Sequence, residues 1–86
     1  IDEASRTGKL NEEIIDLTSK EFDLVIYFVK NIGLALSREQ IISNIWGTNY
    51  FGSDRVVDDL IRRLRKKMQH LRLETIYGYG YRLVKP

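Results

Sequence analysis

The 86-residue chain contains no cysteine. That excludes a disulfide framework, a thiolate zinc site and a cysteine nucleophile. His70 is the single histidine, so there is no imidazole pair for a metal, and a histidine-based triad is hard to build. No stretch approaches the roughly 20 apolar residues of a membrane span. No basic leader precedes an apolar run, as it would in a signal peptide. The chain begins with Ile rather than Met, which reads as a piece of a longer protein. These absences leave a reduced, cytoplasmic, globular module with no expected cofactor, metal or membrane partner. Its 43% hydrophobic content suffices for one small core, and its length for one domain over residues 1–86.

Charge is present but unevenly placed. The net charge is only +2. Residues 1–54 nevertheless sum to −4, while residues 55–72 carry Arg55, Arg62, Arg63, Arg65, Lys66, Lys67 and Arg72 against Asp58 and Asp59, a net of +5. Such a block suits a polyanion partner or an ordinary solvated helix face, and composition alone divides evenly between them.

Ile14, Ile15 and Leu17 read as a short strand, with a partner in residues 3–9 across a turn near Asn11. Thr18-Ser19-Lys20-Glu21 is a capping box. Behind it Phe22, Val25, Val29 and Ile32 keep helical spacing, flanked by Ile26 and Phe28, which predicts a helix over 19–32. Ser37-Arg38-Glu39-Gln40 is a second box and predicts a helix over 37–46, after a four-residue corner. Gly47–Ser53 reads as a loop, and Ser53 or Asp54 caps a third helix. On a helical wheel Val57, Leu60, Ile61, Leu64, Met68 and Leu71 share one arc. Arg55, Asp59, Arg62 and Lys66 fall opposite, Arg63 and His70 flank one edge, and Arg65 lies beyond the other. Residues 73–77 and 81–84 predict strands joined at Gly78-Tyr79-Gly80, with Tyr81 inward and Tyr79 at the tip. The fold class is therefore α+β: short N-terminal antiparallel strands, three helices and a C-terminal β-hairpin.

No catalytic constellation is present, so an enzyme is not expected. Gly78-Tyr79-Gly80-Tyr81 lacks the helix and the Lys-Ser/Thr of a phosphate loop. Asp58 and Asp59 diverge by about 100° on a helix, and Asp58 is expected to pair with Arg62. The third helix suits the major groove of DNA, where Arg bridges guanine O6 and N7 and Lys makes a point-charge contact. Asp59 either accepts from cytosine N4 or, the favoured reading, orients Arg55, Arg62 or Arg63. Val56 packs inward or touches a thymine methyl. Trp46 is a core aromatic whose indole N–H can also donate to a phosphate. Tyr77, Tyr79 and Arg82 are the side chains a hairpin tip offers to the backbone or minor groove, although the tyrosines also suit sheet packing.

Leu17-Thr18-x-x-Glu21-Phe22, Ser37-Arg38-Glu39-Gln40, Trp46-Gly47, Asp54-Arg55-x-Val57-Asp58, Ile61-Arg62-Arg63-Leu64-Arg65-Lys66-Lys67 and Gly78-x-Gly80-Tyr81-Arg82-Leu83 occur in this order. Together they resemble the winged-helix effector domain of OmpR/PhoB-type response regulators over about residues 14–84. The resemblance implies sequence-specific binding of double-stranded promoter DNA, with the third helix (about 54–69) in the major groove and the wing (about 73–84) on the adjacent backbone or minor groove. It implies an N-terminal receiver domain served by a sensor kinase, tandem head-to-tail pairing on direct repeats, and a loop that meets RNA polymerase, here Thr48, Asn49, Tyr50 and Phe51. Matching positions make Arg55, Arg62, Arg63 and Arg65 DNA contacts, with Trp46 and Thr75 on the backbone. Three departures stand out. Tyr77 occupies a wing position that often holds Arg, Val56 one that often holds Thr, and Asp59 and Leu60 a pair that is often an apolar residue and His. An alternative is a winged-helix module that binds protein, suggested by Tyr77 and the tyrosine-rich tip.

Overall fold

Two capping boxes decide where the first two helices begin. In the computed structural model, which describes residues 7–10 and 13–85, Thr18 Oγ1 accepts from Glu21 N at 3.2 Å and Glu21 Oε1 accepts from Thr18 N at 2.9 Å. Ser37 and Gln40 repeat the exchange at 3.1 and 2.8 Å. Each box satisfies two backbone donors that a helix start otherwise leaves without partners. The elements are β1 (Thr7–Leu10), β2 (Glu13–Asp16), α1 (Ser19–Lys30), β3 (Ala35–Ser37), α2 (Arg38–Ile45), α3 (Arg55–Lys67), β4 (Arg72–Ile76) and β5 (Gly80–Val84).

β1 and β2 pair antiparallel, Thr7 opposite Asp16 and Leu10 opposite Glu13. The expected N-terminal hairpin is thus present, one residue earlier than the predicted 14–17 strand. Residues 3–6 and Asn11 lie outside the described residues. The second sheet has the order β3-β5-β4, antiparallel throughout. The sequence predicts a bare helical corner between α1 and α2; the structure places β3 there. Three residues, of which only Leu36 is buried, carry no strand periodicity. The strand exists because β5 supplies its ladder partner.

Leu24, Val25 and Phe28 of α1, Leu36 of β3, Ile41 of α2, Val57, Leu60, Ile61 and Leu64 of α3, Met68, and Leu73, Tyr81 and Leu83 of the sheet form one core. The predicted apolar arc of α3 is borne out, except that Leu71 is only partly buried. On α1 the expectation holds in part: Phe22 and Val25 are buried, Val29 and Ile32 are exposed, and Leu24 and Phe28 complete the inward face. Val29 directly follows buried Phe28 but falls on the solvent side of the helix, and Ile32 lies beyond the helix end.

α1 and α3 are also tied by charge. Glu21, 1% exposed, receives the Lys67 ammonium at 2.7 Å. Lys67 belongs to the basic block in sequence, but its cation is spent inside the fold. Burial alone pushes the Glu21 carboxyl up, yet the Lys67 ammonium and the Thr18 N–H outweigh it and hold the group below the usual carboxylate range.

Candidate nucleic-acid interface

α3 is built with two chemically opposed faces. The inward face is Val57, Leu60, Ile61 and Leu64. The outward face presents Arg55, Asp59, Arg62, Arg63 and Lys66, all exposed. Among the described residues, Arg55, Arg63 and Lys66 are in no ion pair. Asp54 makes no side-chain cap; Ser53 Oγ accepts from Arg55 N at 3.1 Å instead. Asp59 stands 3.6 Å from Arg62, an ion pair beyond hydrogen-bond distance. Both are well exposed, so the pair adds little stability. Val56 is partly buried and packs against the core.

The expected Asp58–Arg62 pair does not form. Asp58 Oδ1 accepts from Arg38 Nε at 3.0 Å and from the Tyr81 hydroxyl. Residue spacing favours the i,i+4 partner, but α2 and β5 bring two donors from distant positions, and these win. Burial works upward on the Asp58 carboxyl, but the Tyr81 hydroxyl and the Arg38 guanidinium hold it below its ordinary value. Tyr81 responds oppositely, raised by burial and by the Asp58 carboxylate. Arg38, which in sequence is just one residue of a capping box, also donates its backbone N–H to Tyr79 O at 3.2 Å. It therefore touches both α3 and the hairpin, a role without local sequence signal.

The hairpin places its predicted residues unequally. β4 ends at Ile76, so Tyr77 leaves the strand and lies in the three-residue connection, 92% exposed. Gly78, at φ +77°, supplies the left-handed residue of that turn. Tyr79 is exposed and Tyr81 buried, as expected. Arg82 is engaged with Glu74, its cross-strand neighbour, at 2.6 and 3.0 Å. Arg65 is half-buried, and its Nη2 donates to Leu73 O at 2.7 Å and to Thr75 Oγ1 at 3.0 Å. Arg65 and Thr75 are thus joined to each other.

At the end of α2, the Trp46 and Tyr50 rings lie 6.1 Å apart, and Lys20 Nζ sits 5.4 Å from the Trp46 ring centre. Tyr50 donates its hydroxyl to Ser53 O at 3.3 Å, which braces the loop. Thr48 and Asn49 are exposed, and Phe51 is 95% exposed. No cluster of three potential metal-ligating side chains occurs among the described residues. No helix among them is long and apolar enough to cross a membrane.

The two depressed carboxyls set a direction for pH. Glu21 and Asp58 ionise at lower pH in the folded than in the unfolded chain. Their contribution is complete above the unfolded carboxylate value of about 4 and is lost as pH falls through the folded values. Tyr81 acts at the alkaline end, its contribution complete below about pH 10 and lost as pH rises past it. The thermal midpoint should therefore fall on acidification below about pH 4, and Glu21→Gln should flatten that fall while lowering the midpoint at neutral pH. A midpoint that stays level on acidification, followed by circular dichroism, would contradict this.

Comparison with known proteins gives the same outline. The family described as "Transcriptional regulatory protein, C terminal" matches residues 11–83. "Transcriptional regulatory protein CssR" of Bacillus subtilis is 60% identical over 74 residues, covering 86% of this chain and 33% of that protein. The crystal structure of the DNA-binding domain of Bacillus subtilis CssR superposes with a TM-score of 0.93 at 54% identity, covering 95% of this chain and 94% of that one. The DNA-binding domain of Klebsiella pneumoniae RstA, in complex with the RstA box, gives 0.86 at 31% identity, covering 98% and 88%. The chain spans about a third of the length of the curated relatives it matches.

Proposed function

The chain belongs to the family of transcriptional regulatory protein C-terminal domains, and from that premise we propose that it binds specific sequences in double-stranded promoter DNA as the effector domain of an OmpR/PhoB-type response regulator. The family is one of transcription regulators rather than of enzymes. The observation that carries the reading is the outer face of α3, where Arg55, Arg62, Arg63 and Lys66 are exposed on a helix whose other side is core. A helix so anchored lies in the major groove with its cations toward bases and phosphates. Arg62, paired with Asp59, is the base-reading candidate, with Arg55, Arg63 and Lys66 on phosphates. Val56 lies beside the base edges, and Trp46 sits toward the backbone. The wing follows on the adjacent backbone or minor groove through Tyr77, with Thr75 and Arg82 behind it.

The rest of the reading concerns the longer protein. A receiver domain and its sensor kinase govern the effector, two copies sit in tandem on direct repeats, and the protein acts in the cytoplasm. Thr48, Asn49, Tyr50 and Phe51 form the loop that meets RNA polymerase, a role supported by the near-complete exposure of Phe51.

Selection of bound duplexes from a random pool tests the core of this proposal. Arg62→Ala should weaken binding to the selected site by about 1–3 kcal/mol and relax the preference at one position. Lys66→Ala should weaken all sites alike and reduce the slope of log K against log salt by about 1, since each neutralised phosphate contributes about 0.9. Unchanged affinity in Arg62→Ala would remove α3 from the groove. Exposed Tyr77 and Phe51 also suit a protein-binding module, and no duplex binding at tens of micromolar in low salt would favour that instead.

A further inference from the structure

A carboxylate stands in the middle of the cationic face of α3. At about 100° per residue, Arg55, Arg62, Arg63 and Lys66 all lie within about 60° of Asp59 around the helix axis. Three other acidic groups around α3 have fixed partners. Glu21 takes Lys67, Asp58 takes Arg38 and Tyr81, and Glu74 takes Arg82. Asp59 is different. Its side chain is 62% exposed, and its ion pair with Arg62 is 3.6 Å long. Among the described residues it accepts no hydrogen bond, so both carboxylate oxygens are open to a partner. An exposed pair of this kind adds little stability. A negative charge at that place also weakens the attraction to every phosphate. A helix that needed only a cationic face would gain nothing from it.

Asp59 lies one turn in from Arg55, which opens α3. Residues near the start of a recognition helix are the ones that meet base edges. A carboxylate can only accept hydrogen bonds. In the major groove guanine shows N7 and O6, both acceptors, and thymine shows O4 and a methyl group. Adenine has an N6 amine, but beside its N7 acceptor; cytosine shows its N4 amine with no acceptor of its own. We propose that Asp59 is a specificity residue: it accepts from cytosine N4 at one position of the bound site and penalises the other three bases there, at a cost in general affinity for duplex DNA. This rests on the DNA-binding reading above and adds to it the base that one position takes. The cations around Asp59 supply affinity, and Asp59 restricts where that affinity is realised.

The test selects duplexes from a random pool with this chain and its variants, then titrates the selected duplex, its single-base-pair substitutions and an unrelated duplex. The wild type should show a cytosine position that Arg62→Ala leaves intact. Asp59→Ala should flatten that position, taking the preference for cytosine from about tenfold to within about twofold. It should also bind the unrelated duplex about two- to threefold more tightly, since a negative charge has left the field of the phosphates. Asp59→Asn should move the preference at the same position toward adenine, whose N6 and N7 match an amide. Asp59 is exposed, so thermal midpoints of both variants should stay within a few degrees of wild type. A cytosine preference that survives in Asp59→Ala would overturn the proposal. So would one lost equally in Arg62→Ala, which would make Asp59 a positioning residue for that arginine. Weaker binding of Asp59→Ala to selected and unrelated duplexes alike would overturn it too. The two readings fail differently: a wild type that binds no duplex sinks the DNA-binding reading itself, whereas a wild type whose selected site is unchanged in Asp59→Ala sinks the proposal alone.

Discussion

Gly80→Ala should take apart the three-stranded sheet. Gly80 opens β5 and stands opposite Ser37 on β3 and Ile76 on β4. A Cβ at Gly80 would lie 2.0 Å from the Leu36 carbonyl oxygen and 2.9 Å from Ser37 Cα. Both are backbone atoms, so no side-chain rotation relieves the clash. Overpacking of ordinary cores costs about 1–3 kcal/mol. Here a whole strand must move, and the expected loss exceeds about 3 kcal/mol out of the roughly 5–15 kcal/mol that holds a domain together. Ser37 is also the N-cap of α2, so displacement of β3 loosens the helix pair beneath α3, and duplex affinity should fall with stability. Gly78→Asn is the control. Gly78 has φ +77° with nothing within 4 Å, and Asn tolerates that conformation, so the loss should stay near or below about 1 kcal/mol. Urea titrations at constant m-value separate the two. If Gly80→Ala unfolds within about 1 kcal/mol of the wild type, the close approach of β3 is not what demands glycine.

Phe28→Ala should produce a loss of similar size by the opposite route, a void. Phe28 is the largest of the fully buried side chains. It belongs to the core that joins α1 to α3 and the sheet. Removing a buried phenyl ring loses its transfer free energy and leaves a cavity that the neighbours fill only in part, together about 3–5 kcal/mol. For a domain of this size each kcal/mol moves the thermal midpoint by about 4–8 °C, so a drop on the order of 20 °C is expected. α3 depends on that core for its orientation, so binding should weaken at temperatures where the variant is still mostly folded. Phe28→Leu, which keeps most of the volume, should recover more than half of the loss. Calorimetry of the two variants checks both statements. A midpoint within a few degrees of wild type for Phe28→Ala would show that the core does not rest on this ring.

Much of the architecture is legible in short patterns. Both capping boxes form as their residues specify. The apolar arc of α3 is buried except for partly buried Leu71, and Arg55, Asp59, Arg62 and Lys66 opposite it are exposed. The hairpin, the inward Tyr81 and the exposed Tyr79 follow from glycine placement and alternation. The expectations that needed correction share a cause. β3 exists only because β5 pairs with it. Asp58 turns from its helical neighbour Arg62 to Arg38 and Tyr81. Val29 keeps helical spacing but faces solvent.

Local residue patterns suffice for the starts of α1 and α2, the sidedness of α3 and the order of the elements other than β3, because these depend on residues within a turn or two of one another. The tertiary fold alone settles which members of the basic block find partners within the domain. Lys67 is consumed by buried Glu21 and Arg65 by β4, while Arg55, Arg63 and Lys66 remain unpaired among the described residues. Charge counted along a chain is local, but its partner is whatever the fold brings within hydrogen-bonding distance, and those partners lie 46 and 8–10 residues away.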